Sequence, residues 1–510
     1  MSIPDAEIVG SPGWWMSKLF EGLQAKERRN RLDNLHKRYR GQSPLPEAAD
    51  SAREIFYNFQ RKARTNFAQL IVSAVSERMR VSGFRTASDF DETGDSEAGE
   101  LWLRAGLDVE SNDTHDKMLN LSECFVVVGE YDDEIAAPVV TVEDPRTMIS
   151  AADPLAPRRM IASLKVLHDP ITEQDQAYLY LPGRFFGPGK PAQIRVAVSN
   201  TRTTGLSRVP FDPKGWSWNN KLSGELAHPR IPVVRFLNKD AVGEYELHTD
   251  LLDRINHQVL QRMVIATMQA FRQRAVSGLP VEDEQGNEID YSQVFTMDPA
   301  ALWQLPSTAK MWESGQVDLT PILSAVKDDI SNLAAVTETP MHMLSPAGVN
   351  QSAEGASLVR EGLVQKTQDR IDRTRSPWAQ VMGLCFLQSG DTTRADIRQL
   401  QTMFASPERL SFAERADAAS KAQNDIPRRS RLIHIWQFSP AEADRMMSEW
   451  EEEQLVAAAA QAAADNALAA QQQAAAATEQ QQIAPVDELD LANLDQAVNL
   501  GTDAVPAGSA

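Results

Sequence analysis

The sequence predicts a helix-rich α+β chain, and three observations predict it. Between residues 124 and 236, short runs of β-branched and aromatic residues recur with turn residues between them. From 245 to 388, apolar residues repeat instead at helical spacing, in segments separated by Pro and Gly. No uninterrupted run of about 18 apolar residues occurs, so no segment is expected to span a membrane. With 510 residues the chain has room for roughly two to four domains.

Residues 1–45 hold a basic helical stretch with Lys26, Arg28, Arg29, Arg31, Lys37, Arg38 and Arg40, either a solvated helix face or a contact with a neighbour or nucleic acid. The apolar patch Trp14-Trp15-Met16 is preceded by acids rather than a basic segment, which argues against a secretory signal. From Ser51 to Arg80, the spacing of Ile55, Phe59, Ala63, Phe67, Leu70, Ile71, Ala74 and Val75 predicts one core helix. Strands are expected at 124–128, 139–142, 161–167, 177–181, 194–198 and 231–236, in an antiparallel mixed domain.

A long helix is predicted from Tyr245 to Ser277, because no Pro or Gly interrupts it before Gly278-Leu279-Pro280. On its wheel Leu252, Ile255, Val259, Met263, Thr267 and Phe271 share one side, and Arg254, Gln258, Gln261, Arg262, Gln269 and Arg272 gather on the other. Residues 280–317 form an insert with a turn at 283–287, too short for a substantial core of its own and expected to pack against copies of itself. A second helix opens at Thr320-Pro321, a capping residue followed by a ring suited to the first turn, and breaks at Thr339-Pro340. The stretch 340–351, with Pro340, Pro346 and Gly348, reads as a loop. A third helix runs from a Ser352 cap to Leu387, kinked at Ser376-Pro377 and ended by Gly390. Beyond it, short helices are expected to start at Pro407, Pro427 and Pro440. Residues 457–482 are almost wholly Ala and Gln, so the tail is expected to be partly helical and largely mobile.

The net charge of −20 is unevenly placed. Residues 446–510 hold eleven acids and no Lys or Arg, leaving 51 cationic residues against 60 acids elsewhere. An acidic balance argues against tight nucleic-acid binding, yet it suits a conduit that must not grip what passes through. Cys124 and Cys385 are the two cysteines, which excludes a disulfide framework and fits a reducing compartment.

Catalytic patterns are missing from the sequence. Gly187-Pro188-Gly189-Lys190 lacks the first glycine and the hydroxyl of a phosphate loop, since Arg184 and Pro191 stand there. The eight histidines are scattered, with no metal-ligand spacing. No catalytic residue, cofactor or metal is expected. Asp89, Asp91, Thr93, Asp95 and Glu100 do fall at calcium-loop positions around Gly94, but Ser96 replaces the usual aliphatic residue; the segment is either a solvated acidic loop or a calcium site.

Residues 340–360, together with Pro229-Arg230-Ile231-Pro232-Val233-Val234-Arg235-Phe236-Leu237-Asn238 ahead of the long helix, resemble the portal proteins of long-tailed double-stranded DNA bacteriophages. Tyr39-Arg40-Gly41, Val81-Ser82-Gly83-Phe84-Arg85 and residues 411–424 extend the resemblance to about residues 30–455. It implies a subunit that assembles into a dodecameric ring at one capsid vertex. A basic N-terminal segment (1–44) would precede a wing (45–244), first stem helix (245–279), clip (280–317), second stem helix (318–339), tunnel loop (340–352), long wing helix and return (353–404) and crown (405–455). The acidic Ala/Gln-rich tail (456–510) has no counterpart.

The resemblance further implies a non-enzymatic channel for packaging and ejecting DNA. Its partners would be further copies of the chain, non-specifically contacted double-stranded DNA, the terminase large subunit, a head-tail connector or adaptor, and the major capsid and scaffold proteins; no membrane is involved. The protein would reside at the virion's portal vertex, after assembly in the host cytoplasm. Met341, His342, Met343, Ser345, Asn350 and Gln351 would face passing DNA, although Met341 and Met343 equally suit packing beneath the loop. Arg254, Arg262, Arg272 and Arg274 are candidates either for phosphate proximity or for intersubunit ion pairs. Another head-assembly or connector structural protein is the alternative, but it does not account for two long helices separated by a clip-sized insert.

Overall fold

The computed structural model describes residues 3, 5–46, 54–88, 94–207, 209–270, 274–282, 286, 291, 309–313, 315, 317–345, 353–408, 412–438 and 440–481. The chain divides into two compact units, Met1–Ala443 and Asp444–Ala510.

The first unit opens with α1 (Pro12–Gln24) and α2 (Lys26–Tyr39). Ser11 caps α1 by accepting from the Trp14 amide at 3.0 Å, and Pro12 sits in the first turn, where its missing N–H goes unused. The single helix expected over residues 51–80 is two, α3 (Glu54–Lys62) and α4 (Phe67–Ser76). Asn66 is the cause of the break. Its Oδ1 accepts from the Gln69 amide and its Nδ2 donates to Gln69 Oε1 at 2.8 Å, so a new helix starts inside a continuous apolar period. Next come β1 (Val81–Arg85), α5 (Ser96–Arg104) and α6 (Leu107–Leu121).

The strand-rich region holds β2 (Glu123–Asp132), β3 (Ala137–Glu143), β4 (Met148–Asp153), β5 (Ala156–Asp169), β6 (Gln174–Leu181), β7 (Gln193–Arg202), β8 (Trp216–Trp218), β9 (Gly224–Glu225) and β10 (Val233–Leu237). Each expected strand is present. β4, with Ile149 as its one β-branched residue, is not announced by its sequence. The pairing is antiparallel throughout, in a three-stranded sheet β10-β2-β3 and a six-stranded sheet β4-β5-β6-β7-β8 with β9 on β7.

Among the described residues three apolar clusters follow from these layers, the smallest joining Phe125, Val127 and Val233 to Met148 and Tyr180. Met16, Leu19, Phe20 and Leu23 of α1 bury against Leu164, Val166 and Leu179 of the larger sheet. The main core joins α4 and α6 to Val126 and Phe236 of the smaller sheet.

After β10 come α7 (Thr249–Ala270), β11 (Arg274–Ser277), β12 (Lys310–Glu313), α8 (Thr320–Val336), α9 (Met341–Leu344), α10 (Ala353–Gln388) and β13 (Gln401–Phe404). The first long helix therefore ends near Ala270, earlier than its unbroken sequence suggests. Arg274 to Ser277 pair with Glu313 to Lys310, and strand pairing overrides helical propensity there. Most of the insert lies outside the described residues; of the turn expected at 283–287 only Gly286 is described, with a left-handed φ of +81°. β13 returns the chain to β1.

Helix α10 continues through Pro377, and Trp378 and Met382 on its inner face are fully buried in the main core. It ends as expected at Gly390, whose φ of +84° allows the Gly390 amide to reach the Leu387 carbonyl (3.2 Å) and the Asp391 amide the Phe386 carbonyl (2.9 Å). α11 (Phe412–Lys421) begins after the expected Pro407 start, whereas Pro427 precedes α12 (Arg428–His434) and Pro440 opens α13 (Pro440–Gln481). The boundary expected at 455/456 falls inside α13. Within the second unit the helix is exposed from Glu451 to Ala476, as its lack of an apolar face requires.

Candidate channel-lining site

Helices α7 and α8 run antiparallel, with Arg254 opposite Asp329 and Gln269 opposite Val317. Arg254 Nε and Nη2 donate to the two Asp329 carboxylate oxygens at 3.0 and 2.6 Å, and Gln269 Nε2 donates to the Val317 carbonyl at 2.6 Å. Leu319 rather than Thr320 is the cap residue of α8 and offers no side-chain cap bond; Asp318, one residue before it, accepts from the Thr320 amide through Oδ1 at 2.9 Å. At the other end of α8, Glu338 takes a left-handed φ of +52°. Its amide bonds the Ala335 carbonyl and the Thr339 amide bonds the Ala334 carbonyl, a glycine-type helix ending built on a glutamate.

Pro340 then leads into α9, a single turn where the sequence suggests loop. Met341 and Met343 are half-buried against the main core and Leu344 is buried in it, so packing accounts for both methionines. His342 is exposed and Ser345 half-buried, the Ser345 amide bonding the Met341 carbonyl at 2.8 Å. Asn350 and Gln351 lie outside the described residues.

The four candidate arginines do not form one group. Arg254 is committed to Asp329 within the chain, and Arg262 is half-buried on α7. Arg272 lies outside the described residues, and Arg274 belongs to β11, paired with Glu313 through the backbone, rather than to a helix.

Residues that the sequence does not single out hold this junction together. Glu244, just after the β10 strand, is buried with Lys366 (2.8 Å) and Arg370 (2.6 Å) of α10. Lys366 Nζ also donates to the Thr337 carbonyl at the end of α8 (2.8 Å), and Asn238 Nδ2 donates to Glu244 (3.1 Å). One carboxylate thereby ties the start of α7, the end of α8 and the long helix. Burial pushes the Glu244 carboxyl up, but the two cations outweigh it and hold it at about 2.

The basic N-terminal helix is part of the same assembly. Arg28 pairs with Glu123, Arg31 with Glu246, and Arg38 donates through both terminal nitrogens to Asp253 at 2.6 and 2.7 Å. Those three arginines face the chain's own acids; Lys26, Lys37 and Arg40 face solvent. Tyr245, fully buried, places its hydroxyl 2.6 Å from both the Leu35 carbonyl and Asn120 Oδ1. Partners more than 90 residues apart leave no trace in spacing, which is why the sequence is silent here.

Of the calcium-loop residues, Asp89, Asp91 and Thr93 lie outside the described residues. Asp95 caps α5, accepts from Thr86 and pairs with Arg394 at 2.8 Å, while Glu100 lies within α5. Among the described residues no cluster of three or more His, Cys, Asp or Glu side chains is placed to hold a metal, and no helix is long and apolar enough to cross a membrane. Cys124 and Cys385 are free and buried, and burial pushes the Cys385 thiol up to about 12.

The chain is similar to the portal protein of Mycobacterium phage D29, with 25% identity over 414 residues covering 76% of this chain and 79% of that protein. It is likewise similar to the portal protein of Mycobacterium phage L5, at 24% identity covering 77% and 79% of the two. The family model described as phage portal protein, SPP1 Gp6-like, matches residues 24–455, which take in both sheets, the paired helices and α10 but leave the Ala/Gln tail outside. The chain belongs to the phage portal protein family, SPP1 Gp6-like.

Proposed function

We propose that this chain is one of twelve subunits in a ring at a single capsid vertex, through which double-stranded DNA enters and leaves the head. In this reading the sheets and α10 form the wing, α7 and α8 the stem, 280–317 the clip, 340–352 the tunnel loop and 405–455 the crown. The clip docks the terminase motor during packaging and a head-tail connector afterwards, with capsid and scaffold proteins around the wing. Assembly takes place in the host cytoplasm.

The observation that carries the reading is the junction at Glu244. A rigid buried tie between the paired helices and α10 lets the 340–352 segment be presented from a fixed frame, as a channel lining requires. The work of such a lining is physical: neutral and flexible side chains contact passing phosphate without sequence readout. Because Met341 and Met343 pack on the core, the DNA-facing candidates that remain are His342, Ser345, Asn350 and Gln351.

Negative-stain imaging of purified protein tests the assembly, and rings with a central channel are expected. A chain that stays monomeric with scaffold and capsid proteins present would overturn the proposal. Deleting 346–350 is expected to leave rings intact and impair DNA packaging or retention; normal packaging would remove the tunnel-loop role.

A further inference from the structure

A cleft of about 600 Å³ opens in the wing between the end of the larger sheet, the edge of the smaller sheet and α10. Its ionisable lining is one-sided: Arg158, Arg159, Arg184, Arg230, Arg235 and Arg373 against Asp372 alone. Three of these arginines are spoken for, Arg159 by Asp153, Arg235 by Glu123 and Arg373 by Asp369. Asp372 is itself paired with Arg375 at 3.0 Å. Arg158, Arg184 and Arg230 have no ion pair among the described residues, and Arg230 Nη1 is buried there without a hydrogen-bond partner. Beneath the arginines the lining is apolar, with Met160, Ile231, Val233, Leu384 and Ile397.

The backbone of β10 adds a second feature. β10 is the end strand of its sheet, with β2 as its one strand neighbour among the described residues. The Pro232 carbonyl accepts from the Val128 amide and the Asn238 amide donates to the Ser122 carbonyl, both at 2.9 Å. In the antiparallel register this turns the even-numbered residues toward β2 and leaves the N–H and C=O groups of Val233, Arg235 and Leu237 on the open edge. All three residues line the cleft.

We infer that this cleft is a docking site for an extended acidic segment of a partner protein, which adds as a strand to β10, sets its carboxylates on Arg158, Arg184 and Arg230, and lays alternate apolar side chains on the floor. Main-chain pairing supplies affinity in such a mode and the side-chain positions supply selectivity. A DNA duplex satisfies neither the free strand edge nor the apolar floor. The inference rests on the wing geometry and does not depend on the number of subunits in the ring.

Fluorescence anisotropy on the full chain in its native oligomeric state, with a labelled octapeptide of alternating Asp and Leu, provides the test. The peptide is expected to bind, to weaken as salt rises, and to bind at least about tenfold more weakly to the double variant R158E/R230E. The same peptide N-methylated at every second residue keeps its charge but loses ladder donors, and should also weaken at least about tenfold. The double variant should keep the wild-type melting temperature, since neither arginine has an ion pair to lose; Arg184→Glu alone is a milder second variant with the same expected direction. Equal binding of the N-methylated peptide overturns strand addition. Failure of the Asp/Leu peptide to bind, or displacement of it by an alternating Lys/Leu peptide or a short DNA duplex, overturns the acidic-peptide assignment. A changed subunit number in the double variant, together with no peptide binding to the wild type, overturns it in favour of a neighbouring copy filling the cleft.

Discussion

The two ends of the α7–α8 pair are held by different means. At the end beside the main core Leu252, Ile255, Leu260 and Leu333 are buried, Asp253 is gripped by Arg38, and Asn256 Oδ1 accepts from both the amide and hydroxyl of Thr65. At the far end Leu323 is 39% exposed and Val317 50%, and Met311 and Trp312 of the neighbouring strand are exposed as well. The chain's own core thus fixes one end, while the other leaves apolar side chains exposed among the described residues. Mutations at the two ends should therefore separate stability from the proposed ring assembly.

The largest effect is expected from Glu244→Gln, which leaves Lys366 and Arg370 buried without their shared carboxylate. Chemical denaturation should show a loss of about 3–5 kcal/mol. Leu333→Ala comes next at about 2–4 kcal/mol, because a fully buried side chain in a packed core leaves a cavity. Either variant behaving like wild type would show that the core-side end is not the anchored one.

The anchored end should also respond to acid. His115 is buried, accepts from Trp378 Nε1 at 2.9 Å, and burial lowers its pKa from 6.5 to about 3. A group with a depressed folded pKa contributes stability above its unfolded value and loses it as pH falls toward the folded one. Stability should therefore decline from about pH 6.5 downward, by at most about 1.4 kcal/mol per pH unit. Glu244 adds its own loss only below about 4.5. Replacing His115 with Asn should flatten the upper part of that decline in a denaturation series.

At the far end Leu323→Asp should change monomer stability by no more than about 0.5 kcal/mol yet reduce ring yield in size-exclusion chromatography. A large loss of stability there would mean that the far end is fixed within the subunit after all.

Part of the architecture is legible in the sequence, and the reasons differ by element. Helix boundaries set by local chemistry can be read directly: Pro321 starts α8 and Gly390 ends α10. The break between α3 and α4 was also open to reading, since Asn66 and Gln69 have capping-box spacing, but the apolar period on either side masked it. The end of α7 was not legible, because Arg-Ala-Val-Ser becomes a strand through a partner 36 residues away in register. The candidate site divides in the same way. Met341 and Met343 lie in the segment the sequence indicates, but their packing depends on the core beneath. The Glu244 tie joins residues 122 and 126 positions apart, and its signal lies in burial alone.

The pairing of β1 with β13 places Val81–Arg85 beside Gln401–Phe404, about 320 residues later in the chain. At about 5–20 residues per second of synthesis, that partner emerges roughly a quarter of a minute to a minute after β1 has left the ribosome. The α1 core with the larger sheet, whose members all lie before residue 220, can close during that wait. Phe84 and the apolar faces of α4 and α6 cannot, so the nascent chain carries an unfinished hydrophobic surface through most of its own synthesis, and its yield in a host cell depends on what shields that surface until β13 arrives.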